Sequence, residues 1–263
     1  MCTITFVPQE DGYAVAMNRD EKRSRIQALP PKVRDLAGCR VLCPSEPGGG
    51  TWIAVNEKRA TFGLVNWYSV PQRVHVDAVS RGVVVASAAG LNRSGSVTQV
   101  LSSLPLKLIN PFRLIGVFPG ECSLTEWYWD LVELKWERRT WTAQQWISSG
   151  LDEPSAQKAR SETFRRAFDR PHAGSLPWLR QLHQSHVNGP GPLSVCMHRP
   201  DATSVSYTEV HVSSGQARIR YLAGSPCQAQ AVFESRLPMT TTNGSNHTEL
   251  CRDLRGKKVL SID

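Results

Sequence analysis

The chain has 263 residues, 40% hydrophobic, 8% aromatic and 21% charged, a length that sustains a hydrophobic core without staples. Its 19 Gly and 17 Pro are close to ordinary usage, which excludes collagen-like and broadly disordered chains. The 31 Lys and Arg against 23 Asp and Glu leave a formal charge of +8, but acidic residues are interspersed and no basic tract of five or more occurs, so the surplus reads as surface charge and no nucleic-acid partner is expected.

In chain order, Cys2 to Val7 reads as a strand, Pro8 to Gly12 as a turn and Tyr13 to Met17 as the returning strand. If Val7 pairs with Tyr13, Cys2 falls opposite Asn18, with Arg19 and Asp20 at the same sheet end. The polar, proline-containing stretch from Glu21 to Pro47 reads as loop with at most one short element. Gly48-Gly49-Gly50 lacks the Lys-Ser/Thr of a phosphate loop and opens a second hairpin, Thr51 to Val55 and Thr61 to Asn66. Asp77 to Leu91 is a buried helix or strand, and Ser94 to Leu104 has helical spacing. Strands are expected at Phe112 to Val117, Thr125 to Asp130 and Leu134 to Thr140. Helices follow at Pro154 to Phe168 and Ser175 to His186, then strands at Ser194 to His198, Ser204 to Val212, Ala217 to Leu222 and Gln228 to Glu234. Strands, helices and strands again predict one α+β domain over residues 1–237, with a polar, partly disordered tail over 238–263.

The most apolar stretch, Gly82 to Leu91, is too short to span a bilayer, and Cys2 to Val7 lacks the basic leader of a secretory signal. Seven scattered cysteines in such a chain suggest reduced thiols and a cytoplasmic location.

The chemistry centres on Cys2. Removal of Met1 would put a free α-amine beside the thiol, and that amine, with an ordinary pKa of roughly 7.7–8, can act as its general base. Arg19 next to the thiol favours the thiolate, and Asp20 can hold the amine and the guanidinium; equally, Asn18 to Arg23 reads as a charged cap on a strand end. Asn66, at the end of the second hairpin, can donate to an oxyanion, a contribution of about 3–4 kcal/mol, or satisfy turn backbone. Cys39 and Cys43 have no matching pair at metal-site spacing and read as loop thiols. Cys196 and His198 share one face of an expected strand, where an axial haem contact competes with a core Cys and a surface His. Trp127 and Trp129 share a strand face and line a pocket or pack in the core.

Met1-Cys2, Asn18-Arg19-Asp20-Glu21 after a strand, Gly49-Gly50-Thr51-Trp52 followed by Asn66, Ser80-Arg81-Gly82, and the pair Cys196-Met197-His198-Arg199 and Thr203 to Ser206 together resemble the NRDE family, the transport and Golgi organisation 2 homologues. That family is more distantly similar to the penicillin V acylases and bile-salt hydrolases, which are N-terminal-nucleophile (Ntn) hydrolases. The resemblance implies a four-layer αββα sandwich of two antiparallel sheets flanked by helices. It also puts Cys2 on the nucleophile, Arg19 and Asp20 on its companions and Asn66 on the oxyanion residue. Asn18, Glu21, Trp52, His198 and Arg199 are the expected binding residues, and Asn110 and Arg199 are candidates for a second Asn and a later Arg of the acylases. The implied activity is hydrolysis or transfer of an acyl group from a small-molecule amide, with no metal and no cofactor. The alternative is a carrier that uses the same pocket for haem or an acyl-CoA or other lipid.

Overall fold

The computed structural model of the chain describes residues 2–186, 189–228 and 231–240. It begins with a hairpin of β1 (Cys2–Gln9) and β2 (Gly12–Lys22). The strands run on to Gln9 and Gly12, leaving only Glu10 and Asp11 in the turn. Gly12 is required there: its φ is +138°, and a Cβ would lie 2.0 Å from the Val212 carbonyl oxygen. This register differs by one residue from the expected one. Cys2 lies opposite Arg19, not Asn18, and Val7 opposite Ala14. Because side chains alternate between faces, the shift sets Arg19 on the face of Cys2 and Asn18 on the other.

Two sheets follow from the remaining elements: β3 (Leu29–Leu36), β4 (Cys39–Ser45), β5 (Ile53–Asn56), β6 (Thr61–Asn66), β7 (Phe112–Phe118), β8 (Ser123–Trp129), β9 (Leu134–Arg139), β10 (Gln144–Ser148), β11 (Ala202–Val212), β12 (Gln216–Ala223) and β13 (Val232–Pro238). The first sheet has the order β10-β1-β2-β11-β12-β13 and the second runs β3 to β9 in sequence, with every neighbouring pair antiparallel. Ile4, Phe6, Tyr13, Val55, Ile115 and Ile219 belong to one apolar layer between the sheets. Helices α1 (Gly82–Ala88) and α2 (Ser94–Ser102) cover the outer face of the second sheet, where Trp127 and Trp129 lie in the core. Helices α3 (Glu153–Phe168) and α4 (Leu176–Gln184) cover the outer face of the first. The result is the αββα sandwich expected from the sequence.

Several local expectations are corrected. Residues 29–45 form the hairpin β3–β4, not a loop; Pro30 and Pro31 are tolerated because β3 is an edge strand with a register shift between Leu29 and Lys32. Residues 194–198 form turns, with only an isolated bridge between His198 and Thr203. Strand β10 was not expected, and β13 starts later than Gln228. The tail expected from residue 238 falls mainly on 241–263, outside the described residues. Cys122 is disulfide-bonded, against the expectation of reduced thiols throughout, whereas Cys2, Cys39, Cys43, Cys196 and Cys227 are free. Among the described residues no helix is long and apolar enough to cross a membrane.

The helices over the first sheet meet a polar strip of it. In α3, capped by Asp152 accepting from the Ser155 N–H, the inward stripe is Glu153, Ala156, Arg160 and Phe164. In α4 it is Trp178, Leu179, Leu182 and His183. His183 is wholly buried, with Nδ1 3.1 Å from Asn18 Oδ1 and Nε2 3.0 Å from Thr5 Oγ1. Burial, and then the charge of Arg160, push its pKa down to about 3. The folded imidazole therefore stays neutral while the unfolded one binds a proton below about pH 6.5, so stability falls as pH drops from 6.5 toward 3. At pH 4.5 this one group contributes a loss of about 2–3 kcal/mol. Thermal midpoints between pH 7 and 4.5 are expected to fall more steeply in the wild type than in His183→Gln; equal slopes would contradict this assignment.

Candidate active site

The site lies between the sheets at the end where β1 begins and β2 and β6 finish. A cavity of about 330 Å³ is lined there by Cys2, Arg19, Asp20, Glu21, Trp52 and Asn66, among others. Its far wall brings in Gly50 and Thr51 and the Ser80-Arg81-Gly82 segment. These two backbones touch: a Cβ on Gly82 would lie 2.9 Å from the Gly50 Cα, so glycine at 82 lets the wall close.

Cys2 is almost wholly buried. Burial pushes its thiol up, and the Asp20 carboxylate adds to the rise; the positive amino terminus, a backbone hydrogen bond from Asp20 and Arg19 pull the other way. Burial dominates, so the resting group is a thiol and not the thiolate that Arg19 alone would favour. Arg19 shares the thiol's face but is held by others. Its guanidinium donates to Glu46 at 2.5 Å, lies 3.9 Å from Glu21 and stacks 4.3 Å above the Trp52 ring. Arg25 also pairs with Glu46, at 2.7 Å. The Trp52 Nε1–H is buried with no acceptor among the described residues.

Asp20 is on the strand between these groups and the helix layer. Its carboxylate accepts from Arg160 at 3.2 Å and from the Ser204 hydroxyl at 2.6 Å, both wholly buried contacts on the α3 side. Arg160 also donates to Thr3 Oγ1 at 2.8 Å. Asn66 Nδ2 donates to Tyr68 Oη at 2.9 Å, and an amide carries a second N–H for a further acceptor.

The remaining expected residues are less uniform. Asn18 does not line the cavity; its amide donates to the carbonyls of His183 and Val195, both at 2.8 Å, and pins α4 to the sheet. Asn110 lines the wall, but its amide is engaged with the Val74 backbone, accepting at 3.0 Å and donating at 3.1 Å, and so fixes the 68–80 loop. Arg199 pairs with Asp201 at 2.8 Å and His198 faces His186; neither lines the cavity. Two residues of the site escaped sequence reasoning. Glu46 holds Arg19 and Arg25 from within a stretch read as loop. Arg81, noted only as part of a motif, lines the wall, where burial pulls its guanidinium below the ordinary arginine range. It donates to the Pro111 carbonyl at 3.2 Å and, among the described residues, is ion-paired with no carboxylate.

Two antiparallel sheets between helix layers form an Ntn-hydrolase-type fold, with Cys2 at a sheet end. Solved structures agree on the fold. Penicillin V acylase from Agrobacterium tumefaciens superposes with a TM-score of 0.52 at 9% identity, covering 89% of this chain and 85% of that one. The C2A mutant of the conjugated bile acid hydrolase from Clostridium perfringens gives 0.53 at 9% identity, covering 100% and 99%. The family model described as Transport and Golgi organisation 2 matches residues 1–127, so the resemblance read from Cys2, Asn18 to Glu21 and Asn66 holds over that part of the chain. No curated protein sequence matches the chain.

Proposed function

We propose that the protein is a Cys2-dependent amidohydrolase or acyltransferase acting on a small N-acyl compound that carries an anionic group. The observation behind this reading is the shared cavity, whose wall includes Cys2, Arg19, Asn66 and Arg81, and whose volume is at the small end of ligand pockets. With Met1 removed, the α-amine takes the thiol proton as Sγ attacks the amide carbonyl. Asn66 donates to the oxyanion. The C–N bond then breaks, the leaving amine takes the proton back, and an acyl-thioester remains on Cys2. Water, or an acceptor amine, repeats the sequence and releases the acyl group. Arg81 gives the anionic group of the substrate a charge-assisted partner. The carrier reading gains nothing from His198, which lies outside the cavity.

The test is a panel of N-acyl amides in matched anionic and neutral forms. Penicillin V and conjugated bile acids, after which the two structural neighbours are named, are its starting members. Turnover of anionic members is expected, with kcat/KM falling about 10–100-fold in Arg81→Gln, mostly through KM, while neutral members are unaffected. Haem or acyl-CoA binding at the cavity without turnover of any member would overturn the reading.

A further inference from the structure

Away from the cavity, four side chains from three separate segments converge. His186 follows α4, Cys196 and His198 lie in the 191–199 turns, and Cys227 lies after β12. One ligating atom from each lies within 4.8 Å of all the others. His198 Nε2 is 3.0 Å from His186 Nε2, 3.5 Å from Cys196 Sγ and 3.4 Å from Cys227 Sγ. Hydrogen bonding does not account for this arrangement, because one imidazole nitrogen carries a single proton or a single lone pair and here faces three groups. A tetrahedral zinc does account for it. With Zn–S near 2.3 Å and Zn–N near 2.0–2.1 Å, tetrahedral ligand atoms lie about 3.3–3.8 Å apart.

We propose that His186, Cys196, His198 and Cys227 form a Cys2His2 site for zinc. Binding releases the two thiol protons to solvent and leaves two thiolates and two neutral imidazoles on the ion, a set with no net charge that suits a half-buried position. Four protein ligands leave no open coordination position, so the ion is structural and not a Lewis acid. It ties together the end of α4, the 191–199 turns and the segment after β12. The tie extends to the active site. The Met197 N–H donates to Ser204 Oγ at 2.9 Å, and Ser204 donates to Asp20 at 2.6 Å, next to Arg19 on β2. This proposal departs from the expectations of no metal and of an ordinary core Cys beside a surface His. The ligand spacing, His-x9-Cys-x-His-x28-Cys, matches no familiar zinc pattern, so only the fold shows it.

The test uses the full chain purified in reducing buffer, with metal content measured by mass spectrometry and the coordination sphere by X-ray absorption. The expected result is about one zinc per chain, bound by two sulfurs and two nitrogens. That zinc is retained in Cys39→Ser, Cys43→Ser and Cys2→Ala and lost in the double variant Cys196→Ser/Cys227→Ser. Cobalt titration of the metal-free wild type adds a readout that needs no variant to fold, since a thiolate-to-cobalt charge-transfer band with tetrahedral ligand-field bands is expected. A wild type that holds no more zinc than the double variant would overturn the proposal. So would a cobalt spectrum without the thiolate band, or a Cys196–Cys227 disulfide persisting in reducing buffer.

Discussion

Cys2→Ala is expected to lower kcat/KM for any N-acyl amide the protein turns over by at least about 10³-fold, while the thermal midpoint moves by only a few degrees. The asymmetry follows from the position. Cys2 is the first residue of β1, so removing one sulfur opens only a small gap at the edge of the core. The role proposed for it has no substitute: no other free thiol lines the cavity among the described residues. The Asn66 amide and the Arg81 guanidinium, proposed to bind substrate, remain in the variant, so KM is expected to change little and kcat to carry the loss. Cys2→Ser separates nucleophile from shape. A hydroxyl in the same buried position with the same amine is a weaker nucleophile, so activity falls but substrate binding persists. Steady-state kinetics on the three proteins, beside thermal unfolding, check this. Cys2→Ala with wild-type kcat would remove Cys2 from the reaction.

The second large effect concerns stability. Arg160→Leu is expected to destabilise the fold by about 3–5 kcal/mol, lowering the thermal midpoint by on the order of 10 °C. Arg160 and Asp20 are both fully buried, at 0% side-chain exposure, and face each other at 3.2 Å. Leucine fills much of the arginine's space but takes from the buried Asp20 carboxylate the guanidinium that faces it, while the Ser204 hydrogen bond remains. Asp20→Asn/Arg160→Leu is expected to recover a substantial share, because removing both charges avoids an uncompensated one. Urea unfolding of the two single variants and the double completes the cycle. A single-variant loss below 1 kcal/mol would contradict the assignment. Asp20 thus joins the helix layer to the cavity: its side chain accepts from Arg160 of α3, and the residue also lines the cavity beside Cys2.

The hairpin that carries Cys2 and the strand that carries Asn66 were legible in the sequence because β-branched runs, a turn and a glycine cluster are local signals. The register was not. Whether Val7 faces Tyr13 or Ala14 depends on how tightly Glu10 and Asp11 turn, and that is fixed by the close approach of Gly12 to Val212, some two hundred residues away. Charge hid the hairpin of residues 29–45: Pro30, Pro31 and several basic residues read as loop, yet an edge strand accepts both. Arg160 carries no local sign of burial, because helix α3 is polar almost throughout. Its burial follows from the polar strip of Thr3, Asn18 and Asp20 on the facing sheet, which no local pattern reveals. The meeting of His186, Cys196, His198 and Cys227 likewise needs three turns brought to one point. Arg81 was legible as a motif and not as a cavity wall, since that role depends on the Gly50–Gly82 contact.

Acylation of Cys2 is read most directly by intact-protein mass spectrometry before and during turnover of an N-acyl substrate or a slow activated acyl analogue. The expected species is a chain lacking Met1 that gains one acyl group, mapped to Cys2 by peptide fragmentation, released by hydroxylamine and missing in Cys2→Ala. Retention of Met1, or an acyl group on another residue while turnover proceeds, would contradict it.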